Sequence, residues 1–161
     1  MYLRTFEHRH AESILAANSR LKKEVERTLT DLDIDLAANG FNDHNRPHQL
    51  IQRAFLRHGW RNEWLVSQRT SRRHYFDLYK DRIAIEIELS NRELLYRDYI
   101  RFLLAESEGN LDVGIILVPD DSRHLKQPAP RNGLPHLEDI ADDLNSLRNT
   151  VLVPIWVIAI S

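Results

Sequence analysis

Two uninterrupted apolar stretches constrain this chain most: DVGIILVP at 112–119 and VLVPIWVIAI at 151–160. Each is far short of the roughly 18 residues a membrane span requires. Neither alternates between apolar and polar positions as a strand with one solvated face does. A strand apolar at every position must be covered on both sides, as in sheets carrying helices on both faces. Pro154 cannot donate to a ladder, so it predicts an edge or a bulge in the second stretch.

The rest of the chain supplies the covers. Residues of about 8–30 read as one helix, with Ile14, Leu21, Val25 and Leu29 on an apolar stripe and Lys22, Lys23, Glu24 and Glu26 off it. NGFNDHNRPHQ reads as a loop. A second helix is expected near 47–58, with Pro47 early, Leu50, Ile51, Ala54 and Phe55 on its buried edge, and Gly59 ending it. EWLVSQ at 63–68 is a candidate strand. Ser90 and Glu93 could cap a third helix over 91–107, and Leu137, Ile140, Leu144 and Leu147 mark a fourth. The pattern predicts an α/β fold: a mixed central sheet flanked by helices on both faces, formed by residues 1–161 as a single domain.

Composition narrows the class of function. Apolar residues make up 42% and charged residues 29%, ordinary for a globular protein, and the net charge of -2 argues against a general nucleic-acid coat. A local basic cleft is still open to a chain with 22 Lys and Arg. With no Cys there is no disulfide, thiolate metal site or Cys nucleophile. The first residues lack an apolar signal core, so a cytoplasmic protein with no membrane partner is expected.

The chemistry concentrates in HYFDLYKDRIAIEIELSN, 74–91. It reads as a hairpin of 73–79 and 82–89 turning at Lys80-Asp81. Tyr79 then faces Arg82, Asp77 faces Ala84 and Tyr75 faces Glu86. Alternation puts Phe76, Leu78, Ile83, Ile85, Ile87 and Leu89 on a core face and Tyr75, Asp77, Arg82, Ala84, Glu86 and Glu88 on the other. Asp77 and Glu86 become diagonal neighbours, with backbones about 7–8 Å apart. Three carboxylates so close raise one another's pKa unless a cation joins them. An all-oxygen set suits Mg2+ or Mn2+, and such an ion suits phosphodiester hydrolysis. The same alternation also describes a strand with one wet, acidic face whose Glu residues pair with Arg73 and Arg82.

FDLYKDRIAIEIELSN resembles the active-site hairpin of the BglII/BamHI-like group of type II restriction endonucleases, in the PD-(D/E)xK nuclease superfamily. The shared pattern is Asp77, eight residues, Glu86, one residue, Glu88. KDRIAIE resembles the BglII side of the group. EIELSN, followed by YRDYIRF, resembles the BamHI side, where an Asn and an Arg stand at the offsets of Asn91 and Arg97. The resemblance implies that Asp77 and Glu86 hold Mg2+, with Mn2+ as a substitute. It places Glu88 where most of the superfamily has Lys, BamHI has Glu as a proposed base or second ligand, and BglII has Gln. It places Asn62 at the spacing of an Asn near the BglII active site.

The surrounding polar residues have two readings each. Asn91 is a base reader or a helix cap. Arg92, Arg97 and Arg101 bind DNA or form a solvated face with Asp98 or Glu93; as i,i+4 like charges Arg97 and Arg101 gain from a phosphate or a guanine edge. Arg69, Arg72, Arg73 and His74 line a DNA cleft or are a wet loop. Together these imply a sequence-specific, Mg2+-dependent endonuclease on double-stranded DNA, acting as a homodimer. The alternatives are a non-cleaving DNA-binding protein on the same fold, a structure-selective repair or mobile-element nuclease, and an unrelated α/β domain with an acidic strand face.

Overall fold

The structure, a computed structural model, describes residues 2–34, 45–71, 73–89, 92–120 and 134–161. Its centre is a five-stranded mixed sheet. In chain order the elements are β1 (Leu3–His8), α1 (Ala11–Ala17), α2 (Ser19–Thr30), α3 (Asn45–Leu56), β2 (Trp64–Leu65), β3 (Tyr75–Phe76), β4 (Leu78–Lys80), β5 (Ile83–Ile87), α4 (Leu94–Ser107), β6 (Val113–Pro119), α5 (Leu137–Ser146) and β7 (Ile155–Ile160). The sheet order is β1-β7-β6-β5-β4, and β2 pairs with β3 in a small separate ladder.

The three central strands β5, β6 and β7 run parallel, while β1 and β4 are antiparallel edges. Two successive crossovers, β5-α4-β6 and β6-α5-β7, step across the sheet in one direction. Parallel crossovers keep one hand, so both helices must lie on the same face. Leu95, Tyr99, Phe102 and Ala105 of α4 and Leu137, Ile140 and Leu144 of α5 pack there with Ala84, Ile116, Val157 and Ala159. The opposite face carries α1, α2 and α3 through Leu15, Leu21, Val25, Leu29, Ile51 and Phe55, packed on Ile85, Ile115, Leu117 and Ile158. Both faces are therefore covered, and every position of β5, β6 and β7 is buried.

The departures from the sequence reading have local causes. The segment 8–30 is not one helix: β1 ends at His8, Arg9 and His10 take left-handed backbone with φ of 55° and 58°, and the helix breaks again at Asn18. β1 itself was not anticipated, because LRTFEH is a half-exposed edge strand with little apolar signal. It covers β7, so β7 is internal and Pro154 lies just before it, its carbonyl accepting the Gly114 N–H at 2.9 Å. The hairpin turns at Asp81-Arg82, with φ of 48° and 65°, and pairs Lys80 with Ile83 rather than Tyr79 with Arg82. That shift preserves side-chain parity. The face assignment fails at Phe76, which packs on the α4 side while Leu78 packs on the other, because the strand breaks at Asp77. Ser90, a proposed cap of α4, lies outside the described residues; the helix starts after Glu93 with no side-chain cap.

Candidate active site

β5 sets the site. Ile83, Ile85 and Ile87 fill the layer under α1–α3, so the intervening Ala84 and Glu86 must face α4. Glu88 follows at the end of the strand, its N–H bonded to the Leu117 carbonyl at 2.9 Å. Glu86 is 1% exposed and Glu88 5% exposed. The wet acidic face considered from the sequence does not exist; these are buried acids at the carboxyl end of a central strand, the usual ligand end of an open α/β sheet.

α4 supplies their partners. Arg101 Nη1 donates to Glu86 Oε1 at 3.0 Å, and Arg97 Nη2 donates to Glu88 Oε1 at 3.1 Å. Both guanidiniums also reach Asp98 Oδ1, Arg97 through Nε at 3.3 Å and Arg101 through Nη1 at 3.2 Å. Asp98 is fully buried and is the hub of this network. Its place on the buried stripe of Leu95, Tyr99 and Phe102 was the signal in the sequence, a charge where the helix should be apolar.

Asp77 enters from the other side. It sits at the break between β3 and β4, where the ladder would next pair it with Glu86. Its Oδ2 accepts the Ile87 N–H at 2.8 Å and lies 3.2 Å from His48 Nε2 of α3. Gln52, one turn along α3, donates to its carbonyl at 3.4 Å. His48 carried no signal in the sequence, because only the docking of α3 brings it to the hairpin.

The charges follow from burial and neighbours. Burial, then the negative charges of Asp98 and Asp77, push the Glu86 carboxyl well above its usual range, and Arg101 opposes this. Burial and Asp98 raise Glu88 to about 8 against the pull of Arg97. Burial raises Asp98 to about 6 despite Arg97 and Arg101. Asp77 differs. Burial pushes it up, but His48 and the Ile87 N–H more than offset that, and it titrates below its usual value. The expectation that close carboxylates raise one another therefore describes Glu86 and Glu88 but not Asp77.

Among the described residues, no three His, Asp or Glu groups converge as a ready-made ion cage. The donor chemistry still suits a hard cation. Four carboxylates, Asp77, Glu86, Glu88 and Asp98, meet two guanidiniums, and among the described residues Asp98 Oδ2 receives no N–H. Oxygen donors in excess of fixed positive charge fit Mg2+ or Mn2+.

The other sequence candidates fall elsewhere. Arg92 bridges α4 to α5, 3.1 Å from Asp139 and 3.4 Å from Asp143. Arg73 is exposed ahead of β3. Asn62 is exposed beside the bridge of Arg61 to Tyr79, and among the described residues no hydrogen bond joins it to the carboxylates. Asn91 and Arg72 lie outside the described residues.

A mixed five-stranded sheet, sandwiched by helices and carrying acids at the end of its hairpin, defines an α/β domain of the restriction-endonuclease type. The chain superimposes over its whole length on 78% of the BglII restriction endonuclease in its crystal structure with a DNA 16-mer, with a TM-score of 0.79 and 23% identity. Against free BglII the TM-score is 0.71 and the identity 24%, covering all of this chain and 80% of that one. No curated protein matches it by sequence. The family model for restriction endonuclease BglII/BglIII matches residues 3–160, and the chain belongs to that family. It is accordingly a nuclease of the restriction type.

Proposed function

We propose that the protein is a Mg2+-dependent, sequence-specific endonuclease that hydrolyses both strands of duplex DNA as a homodimer. The observation that carries this is the burial of Glu86 beside Asp77 at the end of β5, inside a family of restriction endonucleases. Buried acids in such number cost stability, and the fold keeps them where a ligand can reach the strand end.

Asp77 and Glu86 would hold the ion. Bound there, Mg2+ or Mn2+ supplies Lewis-acid polarisation of the scissile phosphate and a water of lowered pKa. His48 and the Ile87 N–H aim the Asp77 carboxylate and keep it ionised. Without the ion, Arg101 holds Glu86 in place. Glu88, held by Arg97, takes the proton from the attacking water. Arg97, with a side chain 41% exposed, and the exposed Arg73 offer charge to the DNA backbone; Asn91 and Arg72 are kept as DNA contacts on the sequence reading alone. Arg92 serves the α4–α5 joint first.

One hairpin supplies acids for one strand, so a double-strand cut needs two chains. A two-fold pair of identical chains reads a palindrome. The test is plasmid DNA incubated with the protein in Mg2+, Ca2+ or EDTA, with light scattering and run-off sequencing of the ends. Linear product in Mg2+ only, from a dimer, with a symmetric 5′ stagger, is expected. Glu86→Ala should bind DNA in Ca2+ without cutting. Cleavage by Glu86→Ala at the wild-type rate would refute the assignment.

A further inference from the structure

Arg101 is buried more deeply than a DNA-binding arginine needs to be. Its side chain is 13% exposed, and one nitrogen, Nη1, makes both of its ion pairs, to Glu86 and to Asp98. Two buried atoms are left over. Among the described residues, Arg101 Nε has no acceptor and Asp98 Oδ2 receives no N–H, the Asp98 carboxyl being hydrogen-bonded to the Glu88 carboxyl instead. A buried guanidinium N–H with no acceptor, beside a buried carboxylate oxygen that receives no N–H, is costly. The pair stands at i and i+3 on α4, the spacing at which an Asp and an Arg meet. One movement satisfies both. If Arg101 leaves Glu86 and turns its Nε edge to Asp98, the single bond to Oδ1 becomes a two-bond fork to Oδ1 and Oδ2.

We infer that Arg101 is a two-position counter-ion for the metal site, gripping Glu86 when no ion is bound and moving onto Asp98 when a divalent cation takes Glu86. Asp98 is then a positioning residue that acts through Arg101. The resting protein keeps a buried glutamate neutralised, and the entering ion displaces a side chain that has a better-paired place waiting. The cation competes with the guanidinium for the Glu86 carboxylate. Anything that strengthens Arg101's hold on Glu86 weakens the ion, and anything that removes Arg101 strengthens it.

This rests on the proposed ion site at Asp77 and Glu86, and the experiment separates the two ideas. Mg2+ alone, without DNA, is titrated by calorimetry into wild type, Glu86→Ala, Arg101→Met, Asp98→Asn and the Arg101→Met/Asp98→Asn double variant. Arg101→Met should bind Mg2+ about tenfold more tightly than wild type, the scale of one charge-assisted hydrogen bond. Asp98→Asn should bind it several-fold more weakly, and that loss should shrink in the Arg101→Met background. A merely structural role for Arg101 would weaken binding instead. In wild type the Arg101 Nε–H resonance should shift on Mg2+ addition as that proton gains an acceptor, a readout that does not depend on any variant folding. Equal or weaker binding by Arg101→Met, or an unmoved Nε–H signal at Mg2+ saturation, would overturn the inference. Binding by Glu86→Ala equal to wild type would instead overturn the ion site itself.

Discussion

Replacing Glu88 by Gln should stabilise the metal-free protein at alkaline pH and leave it unchanged at mildly acid pH. Glu88 titrates at about 8 in the folded chain against 4.5 for an ordinary glutamate, through burial first and Asp98 second. An acid whose folded pKa is raised binds a proton more tightly in the native state than in the unfolded chain. Between the two values the native state therefore holds one extra proton, and stability falls as pH rises. Each unit of pH costs about 1.4 kcal/mol per such proton. From about pH 5 to about pH 8 the loss from this one group is about 3 kcal/mol. Gln copies the protonated acid: its oxygen can still accept from Arg97, and its N–H can donate to Asp98 as the protonated carboxyl does. The assay is urea unfolding in EDTA across that range. The slope of stability against pH should drop by one proton in the variant, and at about pH 8 its melting point should rise by about 6–12 °C, at about 2–4 °C per kcal/mol for a domain of this size. Parallel pH profiles for wild type and Glu88→Gln would refute the reasoning.

Other outcomes are expected. Gly114→Ala would place a Cβ 2.7 Å from the Phe102 ring, so it should cost about 1–3 kcal/mol by thermal melting, and less in a Phe102→Leu background. Because Phe102 adjoins Arg101 on α4, the same substitution should also lower cleavage. His48→Ala removes the partner that keeps Asp77 ionised, so the Asp77 carboxyl should titrate higher, by carboxyl NMR, and Mg2+ should bind more weakly. Arg92→Ala loses the pairs to Asp139 and Asp143 and should cost only about 1 kcal/mol in denaturant unfolding, since the side chain is a third exposed.

What the sequence made legible follows from how strongly each element is specified alone. β6 and β7 are apolar at every position, which only a doubly covered sheet accommodates. The stripe of Leu21, Val25 and Leu29 holds α2 against the sheet as read. The α4-facing placement of Glu86 and Glu88 follows from alternation and is unaffected by the turn's position, because moving the turn by one residue keeps parity. β1 was not legible: its ladder to β7 is made by backbone groups, and Arg4, Thr5 and Glu7 say nothing about that pairing. His48 was not legible as a candidate site residue for a related reason: it belongs to a helix whose rotation over the sheet is fixed by other residues, Ile51 and Phe55. Asp98 was legible only as a charge on the apolar stripe of Leu95 and Phe102, which marks burial and not its partners.

The error at Phe76 says the most about the site. A hairpin continuous through 75–80 would keep Phe76 and Leu78 on one face and fix Asp77 on the other by alternation. The chain instead interrupts the ladder at Asp77, and Phe76 crosses to the α4 side, against Phe102, while Leu78 stays under α3. The interruption leaves the Ile87 N–H without a strand carbonyl, and the Asp77 side chain takes that bond. The carboxylate is thereby held against the hairpin, between His48 of the α3 layer and Glu86 of the α4 layer, where an alternating strand residue would face only one of them. Local rules of strand geometry give way at a residue that reaches both layers, as is expected where a fold serves a site.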